Sequence, residues 1–342
     1  MPSKIALIGW GAANMLFAAH LVKQQAVDPR RLLIIDPYHN GGALLRSWAH
    51  VRSNTTFGQF KDALANIGCP IESPLPEDQP TPLHTIANLL IAAVRPLVAS
   101  SERVFGTVNR LEYTAGTWQI TVQTAEGLRH LQASICSLAP GAQPKILQTG
   151  CPQIPLSAAL HLPSLQTYAA PGSHIVIFGS AHSGTLIAKA ATDAGCTATI
   201  IHLGKPVFLF ASEGAYDGIK QDAEHIAREI LANGFAGKVQ LVDYQDGLAV
   251  HRTLLTADYT VCACGFDTTG APTVVVEGVP INTVKGLPYN PATGEIAPRL
   301  LGWGIAFPST TTVNERTYTD VSIPSFSAHI LTQKDRLHAL LL

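Results

Sequence analysis

Two short stretches of small residues, each set between a strand-like apolar run and a helix-like run, constrain this chain more than any other feature. The first is Gly9-Trp10-Gly11-Ala12-Ala13-Asn14, after the run Lys4 to Ile8 and before the helix-like Met15 to Gln24; the next apolar run, Leu32 to Ile35, ends in Asp36. The second is Gly179-Ser180-Ala181-His182-Ser183-Gly184, between Ile175 to Phe178 and a helix-like pattern from Ser183 to Ala194, with Thr197 to His202 behind it. Strand, tight turn, helix and second strand make a βαβ unit. The crossover forces its two strands to run parallel and puts a helix on the sheet face. An α/β protein with two such units follows.

The small residues have a shared chemical logic. The first N–H groups of a helix lack partners within it and lie at the positive end of its dipole, so a helix start beside a tight turn can hold a diphosphate. In a Rossmann fingerprint the first glycine makes the turn, the second lets the diphosphate approach, and a small third residue packs helix on strand. Gly9, Gly11, Ala12 and Ala13 fit that order, Asn14 stands at the third place, and Asp36 is positioned to accept ribose hydroxyls. A glycine-rich turn without a ligand is the competing reading. In the second unit Gly179, Ser183 and Gly184 are the candidate binding residues. There the following strand ends in His202, with Lys205 nearby, rather than in an acid. Two basic groups suit an extra 2′-phosphate, which favours NADPH over NADH; a degenerate unit that binds nothing is the alternative.

Between the units, Ser53 to Gly68 mixes polar and aromatic residues, and Pro70 to Pro82 carries five prolines, so a surface excursion is expected. A helix is predicted from Leu83 to about Val98. Short strands from Val104 to Leu111 and Thr117 to Thr124, a turn at Glu126-Gly127, and a strand from Ile135 to Leu138 read as a compact β-meander. After the punctuated connection Pro140 to Pro155 the second unit runs on through a helix from about Gln221 to Asn233 and strands Lys238 to Tyr244 and Tyr259 to Ala263. Short strands, the run Leu300 to Phe307 and a last helix from about Pro324 to Leu341 complete the chain.

Composition excludes several classes. The net charge is −1 with no run of Lys or Arg, which argues against nucleic-acid and anionic-membrane partners. No stretch of roughly 18 or more apolar residues could span a bilayer, and Met1 through Lys4 shows no signal-peptide pattern, so a cytoplasmic protein is expected. Six cysteines at irregular spacings contain no Cys-x-x-Cys pair for zinc or dithiol chemistry. Cys262 and Cys264 alternate in a strand-like run and are expected on one face of it.

The run Leu138-Ala139-Pro140-Gly141-Ala142-Gln143-Pro144 is echoed by Ala263-Cys264-Gly265-Phe266. With two glycine-rich units in this order, essentially the whole chain resembles the two-dinucleotide-binding flavoproteins, whose Ala-Thr-Gly turns join an FAD domain to an inserted nicotinamide domain. Pro140 and Cys264 replace that Thr. The resemblance implies two Rossmann-like domains: an FAD domain with the meander over residues 1–150 and 276–342, and an NAD(P)H domain over 151–275.

Within that group the chain is similar to flavin-containing and N-hydroxylating monooxygenases. Gly41-Gly42 followed by Trp48 resembles the Gly-Gly-x-Trp region near the flavin phosphates. Ser53-Asn54-Thr55-Thr56 resembles a Thr-Asn-Ser-Ser stretch, whose Asn hydrogen-bonds the oxygenated flavin. That assigns Asn54 a catalytic role and puts Thr55 beside the cofactor. His161, ahead of Ser164 and Tyr168, resembles the end of a Phe-x-Gly-x-x-x-His signature. Arg46 and Arg52 flank the loop and could neutralise the diphosphate. Gly42, Val108, Ala139, Gly141, Gly265 and Gly304 join the expected cofactor contacts. One departure stands out: Gly302-Trp303-Gly304-Ile305-Ala306 lacks the acid that relatives carry after the glycine of the last FAD-binding strand.

The implied activity is oxygenation of a small molecule by O2 through a flavin hydroperoxide, with FAD reduced by NADPH, in a chain that could form a homodimer. Two further readings stay open: an NAD(P)H:acceptor flavin reductase without oxygen insertion, and an FAD-binding protein without turnover.

Overall fold

The computed structural model describes residues 4–268, 270–281 and 286–341. The predicted FAD domain therefore includes residues 1–3, 282–285 and 342 outside the described ones. The chain divides into two compact units. The first comprises Met1–Ala49, Thr55–Ala142 and Thr268–Leu342, and the second His50–Asn54 with Gln143–Asp267.

The first unit is built on a six-stranded sheet in the order Glu295–Ala297, Leu300–Gly302, Ile135–Leu138, Ile5–Ile8, Leu32–Ile35, Glu102–Val104. All neighbours are parallel except the first pair. The central strands have no polar face, and both faces are covered, as a sheet buried on two sides requires. Ile5, Leu7, Leu32 and Ile34 point to one side, where they meet Leu16, Phe17 and Leu21 of the helix Ala12–Lys23 together with Phe57, Leu90 and Ile330. Ala6, Ile8, Leu33, Ile35, Leu138 and Leu300 point to the other, against Leu111, Trp118 and Ile120. Those last three belong to a five-stranded sheet in the order Val279–Pro280, Thr273–Val276, Thr107–Thr114, Thr117–Thr124, Gly127–Ala133.

Several expectations shift. Gly127–Ala133 is a strand of the meander, whereas Ile135–Leu138 leaves it for the parallel sheet. The expected excursion after Ser53 holds the helix Phe57–Asn66, capped by Thr56 and Gln59, which buries Phe57, Phe60, Ala63 and Leu64. Its apolar residues recur at helical spacing, which outweighs the polar positions between them. The last predicted helix is two, Ile323–Thr332 and Lys334–Leu341.

The second unit carries a four-stranded parallel sheet in the order Val239–Asp243, Thr197–His202, His174–Phe178, Tyr259–Cys262. The helix His182–Asp193 buries Gly184, Thr185, Ile187, Ala188 and Ala191. The helix Asp222–Gly237 is regular only to Asn233, because Gly234, Phe235 and Ala236 have left-handed backbone angles. Cys262 ends its strand buried, while Cys264 lies beyond the strand end and is more exposed, its thiol still within hydrogen-bonding reach of Cys262. The chain turns at Gly265, whose φ is +94°.

Candidate functional site

In the first unit the strand registers set Ile8 level with Ile35 and Leu138, Ile35 with Val104, and Leu138 with Gly302. The residues that follow, Gly9, Asp36, Ala139, Phe105 and Trp303, therefore gather along one edge of the sheet. This is the carboxyl edge, where open parallel sheets bind their ligands. Gly9 has φ +86°, and a Cβ there would lie 2.3 Å from the Ala139 carbonyl oxygen, so only glycine allows this approach. Gly11 precedes the helix Ala12–Lys23 with an ordinary extended backbone, and no side chain caps that helix. A Cβ on Gly11 would meet no protein atom within 4 Å. Gly42 packs on Gly11 from one side, its own Cβ position lying 3.0 Å from the Gly11 Cα. The Gly304 Cβ position is 2.9 Å from the Ala13 side chain. Gly9, Gly11, Ala12, Ala13, Gly42, Ala139 and Gly304 thus surround one open helix start.

Two motif residues build this loop from behind. Asn14 is fully buried; its amide donates to the carbonyls of Ile8 at 2.9 Å and Gly9 at 2.7 Å, and its Oδ1 accepts from the Ser137 hydroxyl. It ties loop, helix and neighbouring strand together and does not face the opening. Asp36 is also buried, and its Oδ1 accepts the N–H groups of Tyr38 and His39, both at 2.7 Å, while its Oδ2 accepts that of Trp10 at 2.7 Å. Three of its roughly four acceptor positions are filled by backbone, leaving room for a single ribose hydroxyl.

The other expected contacts of this unit differ in exposure. Arg46 is exposed, its guanidinium 4.2 Å above the Tyr38 ring. Val108 is buried in the meander core and Thr55 is buried as well, whereas Gly141 is partly exposed with φ +79°. Trp303, where the resemblance implies an acid, is buried against Phe17 with ring centroids 5.4 Å apart. A large apolar ring occupies that position and fills the core.

The second glycine loop repeats the construction. Gly179 has φ +107°, and its Cβ position lies 2.6 Å from the Ala263 carbonyl oxygen. At Gly184 a Cβ would fall 1.9 Å from the Gly179 carbonyl oxygen, so helix and loop touch without a side chain between them. The helix His182–Asp193 has no side-chain cap, and Ser183 is partly exposed at its start. His202 is buried, and its Nδ1 donates to the Gly204 carbonyl at 2.9 Å. Lys205 is exposed. Gly265 follows Cys264, whose thiol is pushed up to about 11 by burial and by its neighbour Cys262.

Asn54 and Arg52 lie on the strand Arg52–Thr56 with exposed side chains, while Ser53 and Thr55 are buried. Arg52 forms an ion pair with Asp222 at 3.3 Å. The His161 Nδ1 and the Ser164 Oγ are 2.8 Å apart, and the His161 ring stacks on His50 at 3.9 Å. Sequence reasoning passed over Ser137, Tyr38 and His50. Ser137 carried a readable signal, since it is the one polar residue in an otherwise apolar strand; the other two carried none. Among the described residues no group of three or more His, Cys, Asp or Glu side chains could hold a metal ion, and no helix is long and apolar enough to cross a membrane.

No protein-family model matches the chain. A monooxygenase of Paecilomyces divaricatus, AgnR1, is 24% identical over 366 residues, covering 90% of this chain and 91% of that protein. Among solved structures, a variant flavin monooxygenase from Stenotrophomonas maltophilia superposes with TM-score 0.66 at 14% identity, covering 99% of each chain. A bacillithiol disulfide reductase from Bacillus cereus does so with TM-score 0.65 at 14% identity and 99% of each chain. The ornithine N-hydroxylase of Kutzneria sp. 744 gives 0.64 at 12% identity, over 98% of this chain and 100% of that one. With both glycine loops at the carboxyl edges of parallel sheets, the chain has the two-domain, Rossmann-like fold of the FAD- and NAD(P)-dependent flavoprotein oxidoreductases.

Proposed function

We propose that this protein is an FAD-dependent monooxygenase of a small molecule, reduced by NADPH, with FAD on the first unit and the nicotinamide nucleotide on the second. The observation that carries the reading is Gly11. Its backbone is of a kind any residue adopts, and its missing side chain would touch no protein atom. The space is thus left beside three helical N–H groups with no side-chain cap, which is the environment a diphosphate needs.

The residues present fit FAD. The amides of Ala12 and Ala13 would take the diphosphate, with Gly9, Gly11 and Gly42 clearing its approach and Arg46 adding charge. The free acceptor position of Asp36 would take one ribose hydroxyl. Backbone groups at Ala139, Gly141, Val108 and Gly304 would line the remainder, and Asn54 is the proposed hydrogen-bond donor to the flavin, with Thr55 beside it. FAD, when bound, accepts a hydride from NADPH and activates oxygen. On the second unit Gly179, Ser183, Gly184 and Gly265 would hold the nicotinamide nucleotide. The preference for NADPH rests on Lys205, because His202 is buried and turned into its own loop.

The test is a visible spectrum of the purified protein, repeated under NADPH with and without air. Flavin colour that NADPH bleaches without air, with labelled oxygen appearing in a product, is expected. A colourless protein that takes up no FAD in excess overturns the reading. Reduction of an added acceptor with no oxygen incorporated would make the protein an acceptor reductase. The companion variant is Gly11→Ala, expected to leave unfolding unchanged within about 1 kcal/mol while weakening FAD binding at least tenfold.

A further inference from the structure

The structure assigns Lys220 as a charge that binds the diphosphate of the nicotinamide nucleotide on the second unit, a role distinct from recognition of its 2′-phosphate. This rests on the reading above that the second unit binds such a nucleotide.

A connecting segment lies between the strand Thr197–His202 and the helix Asp222–Gly237. Its composition suggests an open loop, but it is folded on itself. The Ala211 N–H donates to the Ile219 carbonyl at 3.0 Å and the Ile219 N–H to the Leu209 carbonyl at 2.7 Å. Phe208, Phe210 and Ile219 are buried. A Cβ on Gly218 would lie 2.4 Å from the Ala211 nitrogen, so the fold-back closes only with glycine there. Arg228 braces the outside, paired with Glu213 at 3.0 Å and Glu224 at 2.8 Å, its guanidinium 4.1 Å above the Phe210 ring.

Both ends of this segment are bonded to the second glycine loop. Ser180 donates its hydroxyl to the Val207 carbonyl at 2.8 Å, and the Lys220 N–H donates to His182 Nε2 at 3.2 Å. Ser180 and His182 flank Ala181, the residue from which the uncapped helix His182–Asp193 starts. The chain therefore delivers a lysine to the mouth of the diphosphate cradle. Burial first, and the Lys220 charge second, hold the His182 imidazole down at about 4, so it is neutral near pH 7 and can accept that N–H. Among the described residues no carboxylate forms an ion pair with Lys220, a partly buried residue. Lys205, by contrast, is exposed on the stretch after His202, two residues before the Val207 anchor.

The two lysines thus divide the nucleotide. A diphosphate is common to NADPH and NADH, whereas the 2′-phosphate belongs to NADPH alone, so removing each charge has a different signature. Lys220→Met in the flavin-loaded protein should weaken binding of NADPH and NADH by a similar factor, about tenfold, and lower the affinity for inorganic pyrophosphate as a competitor. Lys220→Arg should restore most of it, and the FAD spectrum should be unchanged in both. Lys205→Met should weaken NADPH alone. Unchanged nucleotide affinities in Lys220→Met overturn the proposal, and so does a loss confined to NADPH. If the unmodified protein binds neither nucleotide, the nicotinamide site itself is refuted, an outcome separate from any variant's behaviour.

Discussion

Asn14→Ala tests how the first glycine loop is held. The side chain has no exposed surface and makes four hydrogen bonds, three given to the Ile8, Gly9 and Ser137 carbonyls and one taken from the Ser137 hydroxyl. Alanine removes all four, but the Ile8 carbonyl keeps the Ala139 N–H at 2.9 Å, so the Gly9 carbonyl and the Ser137 hydroxyl are the groups left short. An orphaned buried polar group costs about 1–3 kcal/mol, so two such groups with partial relaxation leave a destabilisation of about 2–4 kcal/mol. For a unit of this size, each kcal/mol lowers the midpoint by roughly 2–4 °C, so a fall on the order of 10 °C is expected in flavin-free protein. Thermal unfolding followed by near-ultraviolet circular dichroism measures it. Ser137→Ala should cost less alone, and the double variant should cost less than the sum, with a coupling of about 1–2 kcal/mol, because neighbours in one network are not additive. A loss under 1 kcal/mol, or strict additivity, would refute the claim that Asn14 is the brace of this loop.

Two other outcomes follow from the second loop and from buried imidazoles. Gly184→Ala would place a methyl group 1.9 Å from a backbone oxygen; the protein should keep its flavin colour and lose nicotinamide-nucleotide binding at least tenfold, which fluorescence titration would read. His20 and His182 are both held down at about 4, chiefly by burial, with Lys334 and Lys220 respectively as the next cause. Both are therefore neutral in the folded protein, and their stabilising effect is complete above the unfolded value of about 6.5. It is lost as pH falls from there through about 4, so unfolding midpoints measured from pH 8 to 3.5 should decline across that window. His20→Gln should flatten the decline, and an unchanged slope in that variant would contradict the assignment.

Both βαβ units were legible because their signals are local. An apolar run, a glycine turn and an apolar helix lie within thirty residues, and each is dictated by backbone geometry that neighbours in sequence settle. The helix Phe57–Asn66 was not legible as a packed element, since Phe57, Phe60 and Leu64 become a buried face only when distant segments cover them. Ile135–Leu138 was placed with the meander because it follows it directly, yet its partners are Ile5–Ile8 and Leu300–Gly302, far away in the chain. At the sites, the sequence singled out Asp36 and Asn14 but could not show which way their polar atoms turn. Asp36 and His202 were read as groups facing a ligand. Three backbone bonds on the one and an internal bond on the other are visible only in three dimensions.

The two glycine loops also show why the sixth motif position need not be glycine. Gly9 and Gly179 meet equivalent carbonyls, those of Ala139 and Ala263, so the turn itself is the same. In the second unit the helix then comes down onto the turn until the Gly184 backbone touches the Gly179 carbonyl. Asn14 has a Cβ and cannot approach that closely. It spans the wider gap with its amide, bonded to the Gly9 carbonyl at 2.7 Å, and reaches on to the adjacent strand. Contact and hydrogen bond are alternative ways to fix a helix start against a strand. The first demands an absent side chain, and the second demands one whose every polar atom is satisfied, since it is buried where water cannot compensate. Exchanging the two solutions one residue at a time should therefore fail in both directions: glycine at position 14 leaves the Ser137 hydroxyl and the Gly9 carbonyl without that amide, and asparagine at 184 has no room.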